Sequence, residues 1–418
     1  MIIKNFDKLA TNKIRKDALD IVEAGYESIS IASLIGKDLS FEQNILSIED
    51  KKYDFKKFKN IFVVAIGKGS GLIAQKLESL IGPETIKAGV AIDLKHRKLK
   101  KIKVFAGTHP LPSERNILAT KKLIKTLGEA KAKDLVIAII CGGGSSLACL
   151  PAKNNTCTDL RNVSDNMLKN GATIQELNIV RKHISSIHGG NMAKYAYPAN
   201  MLGLIISDVP GNDIDIVASG PISKDDSTLN QAKEIAKKFS IQNIKLTETP
   251  KDDKYFKKVD KFVLASGSTA VEAMAKKAKE FGYSTHTYSE NLSGLACEIG
   301  PKMARSVKKG QALLACGETT VVVSKPGKGG RNQDLALSAL PYLKHKSAIV
   351  SAASDGKDNI DIAGAITDSE SLKPKNINAT QAVKDNQSFS TLKSLNGVFN
   401  INKITANVSD FIVVLREG

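Results

Sequence analysis

The feature that constrains the fold most is a series of short apolar runs, each followed by a turn rich in Gly or Asp and then by a segment with helical periodicity. The runs are KNIFVVAI, DLVIAII, MLGLIIS and KFVLAS, at residues 59–66, 134–140, 201–207 and 261–266. Continuous apolar strands that alternate with helices are typical of a mostly parallel sheet covered on both faces. Right-handed crossovers bring the strand-to-helix loops to one edge of that sheet, where α/β proteins bind ligands.

The length of the chain indicates two domains, because 418 residues exceed what one ordinary hydrophobic core accommodates. A polar stretch that contains a proline, QNIKLTETPKDDKYFKKVD, separates two series of strand–helix units near residue 250. We therefore predict domains at residues 1–250 and 251–418. In the second domain, ALLACGETTVVVSKPGKGG predicts two strands around Gly317–Glu318 and hence a mixed sheet.

The charge of the chain is strongly positive, with a formal net charge of +18 from 61 basic and 43 acidic residues. Such a charge is compatible with nucleic-acid binding. However, only eight of the basic residues are Arg, and the lysines are scattered rather than clustered with aromatic residues. We therefore predict a solvated Lys-rich surface that attracts anionic small molecules, with no nucleic-acid partner.

The cysteines and the N-terminus indicate a cytoplasmic protein. Five cysteines without a CxxC pair or a Cys/His ligand spacing favour reduced, buried thiols over disulfides or structural zinc. The first 29 residues carry charges throughout and read as an amphipathic helix, and no apolar run is long enough for a membrane span. We expect no membrane partner, and a monomer or a homodimer.

Three glycine-rich turns follow strands or introduce helices: Gly67-Lys68-Gly69-Ser70-Gly71, Gly142-Gly143-Gly144-Ser145-Ser146 and Gly327-Lys328-Gly329-Gly330-Arg331. Glycines let a backbone approach an anion, and the N-terminus of the following helix offers unpaired N–H groups. Each turn alone is better explained as a tight connection between a strand and a helix. Three in one chain favour phosphate binding, although none is a Walker A loop and Leu72 breaks the dinucleotide fingerprint.

Charged residues in these turns and at the ends of apolar strands are the candidates for chemistry. Lys68 and Arg331 lie in the glycine-rich turns, where a cation can pair with phosphate. Asp208 and Asp355 follow apolar strands, where a carboxylate can hold Mg²⁺ or accept a proton from a substrate hydroxyl. An Asx turn explains either aspartate equally well.

The order of these motifs resembles the class II glycerate kinases, whose C-terminal part is called the MOFRL domain. The matching pieces are GKGSGLIAQKLE, GTHPLPSERN, CGGGSSLACLPA, ELNIVRKHISSIHGGNMA, LIISDVPGNDIDIVASGP, CGETTVVV, GGRNQDLAL and SDGKDNIDIAGAITD. They extend from about residue 61 to residue 370. One departure is His188, which stands where the family usually has Lys.

The resemblance implies a larger N-terminal αβα domain of Rossmann-like type with a mostly parallel sheet, and a smaller C-terminal α/β domain with a mixed sheet. It also implies transfer of the γ-phosphoryl group of ATP to D-glycerate with Mg²⁺, usually at the 2-hydroxyl, in a cleft between the domains. The catalytic residues expected from it are Lys68, Arg331, Asp208 and Asp355, and the two aspartates are also the candidate metal ligands. The residues expected to bind substrate or ATP are Gly67, Gly69, Ser70, Gly142, Gly143, Gly144, Ser145, Ser146, Glu318, Gly330 and Asn332.

Two other functions remain open from the sequence. One is a glycerate 3-kinase, which would phosphorylate a different hydroxyl of the acceptor. An NAD(P)H-dependent hydroxypyruvate reductase would need a complete dinucleotide fingerprint, which the turn after residue 66 lacks.

Overall fold

A computed structural model describes residues 1–36, 38–209, 213–371, 377–402 and 405–418. The strands are β1 Leu39–Glu42, β2 Ile45–Ile48, β3 Lys51–Asp54, β4 Ile61–Ile66, β5 Ile86–Asp93, β6 Ile102–Ala106, β7 Leu135–Cys141, β8 Asn200–Ile206, β9 Val259–Ala265, β10 Ser284–Leu292, β11 Gln311–Gly317, β12 Ser347–Ala353, β13 Gly364–Asp368, β14 Val398–Phe399 and β15 Asp410–Arg416. The α-helices are α1 Phe6–Leu9, α2 Lys13–Ser28, α3 Ile31–Leu34, α4 Ser70–Ile81, α5 Glu114–Glu129, α6 Gly144–Leu147, α7 Cys157–Lys169, α8 Ile174–Ile184, α9 Asn191–Ala196, α10 Leu229–Lys238, α11 Gly267–Glu280, α12 Ala296–Ser306, α13 Arg331–Ala339, α14 Ala379–Lys384 and α15 Ser388–Ser394.

The chain is an α/β protein with two compact units. The parallel-sheet unit consists of Ile35–Val209 and Asp213–Leu264, and the mixed-sheet unit contains Met1–Leu34 and Ala265–Gly418. The N-terminal helices therefore belong to the same unit as the C-terminal strands. The predicted domain limits, 1–250 and 251–418, stay a prediction.

The parallel-sheet unit is built on a six-stranded sheet in the order β6-β5-β4-β7-β8-β9. Its central strands pair in parallel, with Ile66 opposite Ile92 on one side and opposite Ile140 on the other. Every residue of β4 and of β7 is buried, because helices cover both faces. Helices α5 and α9 contribute to the core on the face of β4 that carries Phe62, Val64 and Ile66. The predicted strands are confirmed, and their fully apolar composition follows from this double burial.

The mixed-sheet unit also has a six-stranded sheet, in the order β10-β11-β15-β12-β13-β14. Strands β10 and β11 run parallel, whereas β15 is antiparallel to both β11 and β12. The N-terminal helix α2 packs against β12, β15 and α11. Within this packing, the hydroxyl of Tyr26 donates a hydrogen bond of 2.9 Å to the carbonyl of Ala353. The predicted mixed sheet is confirmed.

The prediction of two strands around Gly317–Glu318 is wrong in its second half. Strand β11 ends at Gly317, and the following Val321, Val322 and Val323 are exposed and form no strand. Both edges of β11 are already occupied by β10 and β15, so the valine run cannot fold back and pair with β11. Strand propensity alone therefore misled the prediction, because a strand needs a partner.

No helix in the described residues is both long enough and apolar enough to cross a membrane.

Candidate active site

The first glycine-rich turn, residues 67–71, is closed by a carboxylate of the protein itself. Oδ1 of Asp93, at the end of the neighbouring strand β5, accepts a hydrogen bond of 2.9 Å from the amide of Gly69. Its Oδ2 accepts one of 3.1 Å from Gly71. The buried hydroxyl of Ser70 donates to the carbonyl of Ile92. The N-terminus of α4 is thus already occupied by the carboxylate of Asp93, and the hydroxyl of Ser70 stabilises the turn.

Lys68 projects from this turn onto the second one, which follows β7. A methyl group placed on Gly143 would lie 3.1 Å from Cε of Lys68 and 3.1 Å from Nε2 of His109. Glycine at position 143, with a φ of +74°, therefore makes room for both side chains. Burial first, and the charge of Lys68 second, lower the pKa of His109 to about 4. His109 is consequently neutral near pH 7, and no ion pair within the described residues involves Lys68.

The second glycine-rich turn, residues 142–146, has backbone donors that are free to bind a ligand. Within the described residues, the amides of Gly143, Gly144 and Ser145 have no hydrogen-bond acceptor. Successive amides of this kind in a turn form a concave site for an anion. The carboxylate of Asp208, which follows β8, lies against Gly142 and leaves no space there for a Cβ. An anion site and a carboxylate thus lie side by side at the carboxyl edge of the sheet.

The far end of this turn is held by side chains. The hydroxyls of Ser145 and Ser219 lie 2.9 Å apart, and Ser219 donates a hydrogen bond of 3.1 Å to Oδ1 of Asn178 on α8. The carbonyl of Ser146 accepts a bond of 2.9 Å from the buried side chain of Asn116, which also holds the segment that carries His109. The turn is therefore preorganised from both sides.

In the mixed-sheet unit, Arg331 is engaged by two carboxylates. Its Nε donates a bond of 2.5 Å to Oδ2 of Asp410, and its Nη2 donates bonds of 2.9 Å to Asp410 and 3.1 Å to Glu318. Burial raises the pKa of Asp410 to about 7, against the lowering effect of Arg331. Burial also works against the charge of Arg331, but Asp410 and Glu318 raise the pKa of the guanidinium above its usual range. The Nη1 group of Arg331 has no hydrogen-bond partner in the part of the chain that the structure describes.

The N-terminus of α13, which begins with Arg331, is also closed by a carboxylate. Asp358 accepts bonds from the amides of Asn332 and Gln333 at 3.1 and 3.0 Å, and it fills the space beside Gly330. Asn332 is buried and accepts a bond of 2.6 Å from Ser351. Asp355, by contrast, is exposed and accepts the amide of Lys357 at 3.0 Å, as in an Asx turn.

The predicted site residues thus form two groups. The parallel-sheet unit contains Lys68, Asp208 and the turns at 67–71 and 142–146, whereas the mixed-sheet unit contains Arg331, Glu318, Gly330, Asn332 and Asp355. No group of three or more His, Cys, Asp or Glu side chains in the described residues is arranged to hold a metal ion. Sequence reasoning missed Asp93 and Asp410. Asp93 carried a signal that was available, since it also ends a buried strand.

Comparisons with known proteins agree with this architecture. The profile of a domain of unknown function, DUF4147, matches residues 17–250, and that of the MOFRL family matches residues 311–410. A glycerate 2-kinase from Pyrococcus horikoshii is 32% identical, over 95% of this chain and 98% of its own. A crystal structure of a glycerate kinase from Thermotoga maritima, 29% identical, superposes with a TM-score of 0.84 over 96% of this chain and 99% of its own. A relative from Agrobacterium vitis, 32% identical over 84% of this chain and 86% of its own, carries a provisional name as a hydroxypyruvate reductase.

Proposed function

This chain belongs to the glycerate 2-kinase family that carries the MOFRL domain, and we propose that it transfers the γ-phosphoryl group of ATP to the 2-hydroxyl of D-glycerate. The observation that carries the proposal is the grouping of Lys68, the free amides of Gly143–Ser145 and Asp208 at one edge of the parallel sheet. Phosphoryl transfer needs mainly positioning and neutralisation of charge, because its transition state is loose and strongly anionic. These groups provide both.

Lys68 and the turn at 142–146 are proposed to hold the transferred phosphoryl group. The ammonium of Lys68 has no counter-ion in the described residues, so its charge is available to a ligand. The neutral imidazole of His109 lies beside it and adds hydrogen-bonding capacity without further charge. A compact cation over three free amides suits a phosphoryl group on chemical grounds.

Asp208 is proposed to orient the acceptor hydroxyl or to hold Mg²⁺, with Asp355 in the complementary role. Carboxylate oxygens are the hard donors that Mg²⁺ takes, and one or two of them suffice where phosphates complete its shell. The side chains present therefore fit this ion. Bound Mg²⁺ would neutralise phosphate charge.

Arg331 is proposed as the second cation of the reaction, acting through Nη1. The other guanidinium nitrogens are occupied by Asp410 and Glu318, which fix the plane of the group. A guanidinium held in this way is already oriented for an anion. Its contribution is expected to be smaller than that of Lys68, because its charge is shared with two carboxylates.

The test is an assay of product identity. We expect the purified protein to convert D-glycerate and MgATP into a product that enolase consumes directly, since enolase acts on 2-phosphoglycerate. A product that needs a mutase before enolase would identify a 3-kinase, and oxidation of NADPH with hydroxypyruvate would identify a reductase. Full turnover in excess EDTA would contradict the proposed role of Mg²⁺.

A further inference from the structure

Arg181 is a recessed arginine with an unusual environment. It lies on α8 and is only partly exposed, yet within the described residues it makes no ion pair, hydrogen bond or ring contact. By contrast, the inward-facing Arg15 forms an ion pair with Asp368 and donates hydrogen bonds to two backbone carbonyls. Burial lowers the pKa of Arg181, because a desolvated guanidinium is less stable in its charged form. A recessed guanidinium without a hydrogen-bond partner destabilises the fold unless a bound ligand supplies that partner.

The position of Arg181 places it near the turn at 142–146. It follows Asn178 by three residues, so both side chains lie on one face of α8. Asn178 is connected through Ser219 to Ser145 in that turn. The face of α8 that carries Arg181 is therefore the face that meets the Ser145 end of the turn.

His188 gives an independent sign of a missing ligand at the same place. Its side chain is buried, with 4% of the residue exposed, and neither ring nitrogen makes a hydrogen bond of good geometry among the described residues, the weak contact with the backbone of Gly144 included. Burial first, and then the charges of Arg181 and Lys182, lower the pKa of His188 to about 3, with the nearby Gly144 backbone opposing the shift. Native proteins rarely leave such buried groups unpaired. Two unpaired groups that share one environment indicate that both face a bound molecule.

We propose that Arg181 and His188 form a subsite that holds the carboxylate of the hydroxy-acid acceptor at the Ser145 end of the turn. The subsite rests on the proposed function, because it deepens the account of acceptor binding. A carboxylate matches the planar fork of a guanidinium, which can bind both oxygens. Ser145 lies two residues after Gly143, so the backbones of these two residues are within about 7 Å of each other. The side chain of Lys68 lies against Gly143. That span suits an acceptor of a few carbon atoms, with its carboxylate at Arg181 and its hydroxyl towards Lys68 and Asp208.

The test replaces Arg181 by Gln and compares kinetic constants for the two substrates. We expect the KM for D-glycerate to rise by about a hundredfold, as for loss of a charged hydrogen bond, with the KM for ATP unchanged. Arg181→Lys should fall between Gln and wild type. Lys169→Gln, which removes an exposed charge at the end of α7 in the same unit, is the matched control and should leave both constants unchanged. Thermal melts should show Arg181→Gln as stable as wild type or more stable, because a half-buried cation without a partner in the described residues is removed.

The outcomes separate the subsite from the proposed function. A rise in the KM for ATP alone would assign Arg181 to a nucleotide phosphate and overturn the carboxylate assignment. Unchanged constants for Arg181→Gln, or a lowered melting temperature with normal affinity for D-glycerate, would overturn the subsite while leaving the kinase activity intact. If the wild-type protein fails to phosphorylate D-glycerate, the proposed function fails and the subsite fails with it.

Discussion

Replacing Arg331 by Met tests whether this arginine is a free cation or the partner of a buried carboxylate. The structure shows two hydrogen bonds from its guanidinium to Asp410, which is 3% exposed. Without Arg331, this carboxylate would remain buried with no counter-ion that the structure shows. We therefore expect Arg331→Met to lower stability as well as turnover, unlike an exposed loop residue.

The magnitude follows from the geometry. Removing one partner of a fully buried ion pair costs about 3–5 kcal/mol of unfolding free energy. The side chain of Arg331 is 32% exposed, and the pKa of Asp410 is already about 7, so this carboxyl can take up a proton when its partner is lost. Both facts bring the expected cost down to about 2–3 kcal/mol. At about 2–4 °C per kcal/mol, the melting temperature of the mixed-sheet unit should fall by roughly 5–10 °C.

The assay is thermal and urea denaturation at pH 8, where the carboxyl of Asp410 is mainly charged in the wild type. The double variant Arg331→Met with Asp410→Asn removes both charges and should recover most of the lost stability. An Arg331→Met variant that melts like the wild type would refute the reasoning. A double variant that melts no higher than Arg331→Met would show that the loss comes from packing and not from the unpaired carboxylate.

Two further predictions concern the parallel-sheet unit. Lys68→Met should lower the turnover number by roughly a hundredfold with little change in melting temperature, because Lys68 has no ion pair in the described residues. Steady-state kinetics and thermal melts measure both quantities, and a normal turnover number would contradict the prediction. The pKa of His188 is about 3 in the folded protein, against about 6.5 for a free imidazole. The contribution of neutral His188 to the free energy of unfolding should therefore be complete above about pH 6.5 and should be lost as the pH falls towards 3. Urea denaturation at pH 7 and pH 5 should show that wild type loses up to about 2 kcal/mol more than His188→Asn, and equal losses would contradict it.

The sheet architecture could be predicted because each strand is recognisable from the apolar composition of a few consecutive residues. The runs at 59–66 and 134–140 are apolar throughout, and such runs in alternation with helices have few stable arrangements other than a sheet buried on both faces. The structure accordingly contains β4 and β7 at these positions. The valines at 321–323 show the limit of this reasoning. Their strand propensity was clear, but the availability of a neighbouring edge depends on the order of strands far apart in sequence.

The site could be predicted in part for the same reason. The glycine-rich turns and Lys68 are recognisable locally, because glycine and a following helix have a direct structural meaning. The partners of these turns are not recognisable in this way. Asp93 reaches Gly69 from a position 24 residues later, and Asp410 reaches Arg331 across 79 residues. Such pairings depend on which strands become neighbours, and the sequence pattern does not specify that order.

Carboxylates of the chain occupy two helix N-termini, and this limits where a phosphate can bind. The N-termini of α4 and α13 are both occupied by carboxylates of the chain, from Asp93 and Asp358. A phosphate at either position would have to displace a buried negative charge, which is unfavourable. The amides of Gly143–Ser145 carry no such occupant in the described residues, and Lys68 lies against the same turn. Within the parallel-sheet unit, the phosphoryl group is therefore expected at the turn after β7, with the turn after β4 contributing its lysine rather than its helix.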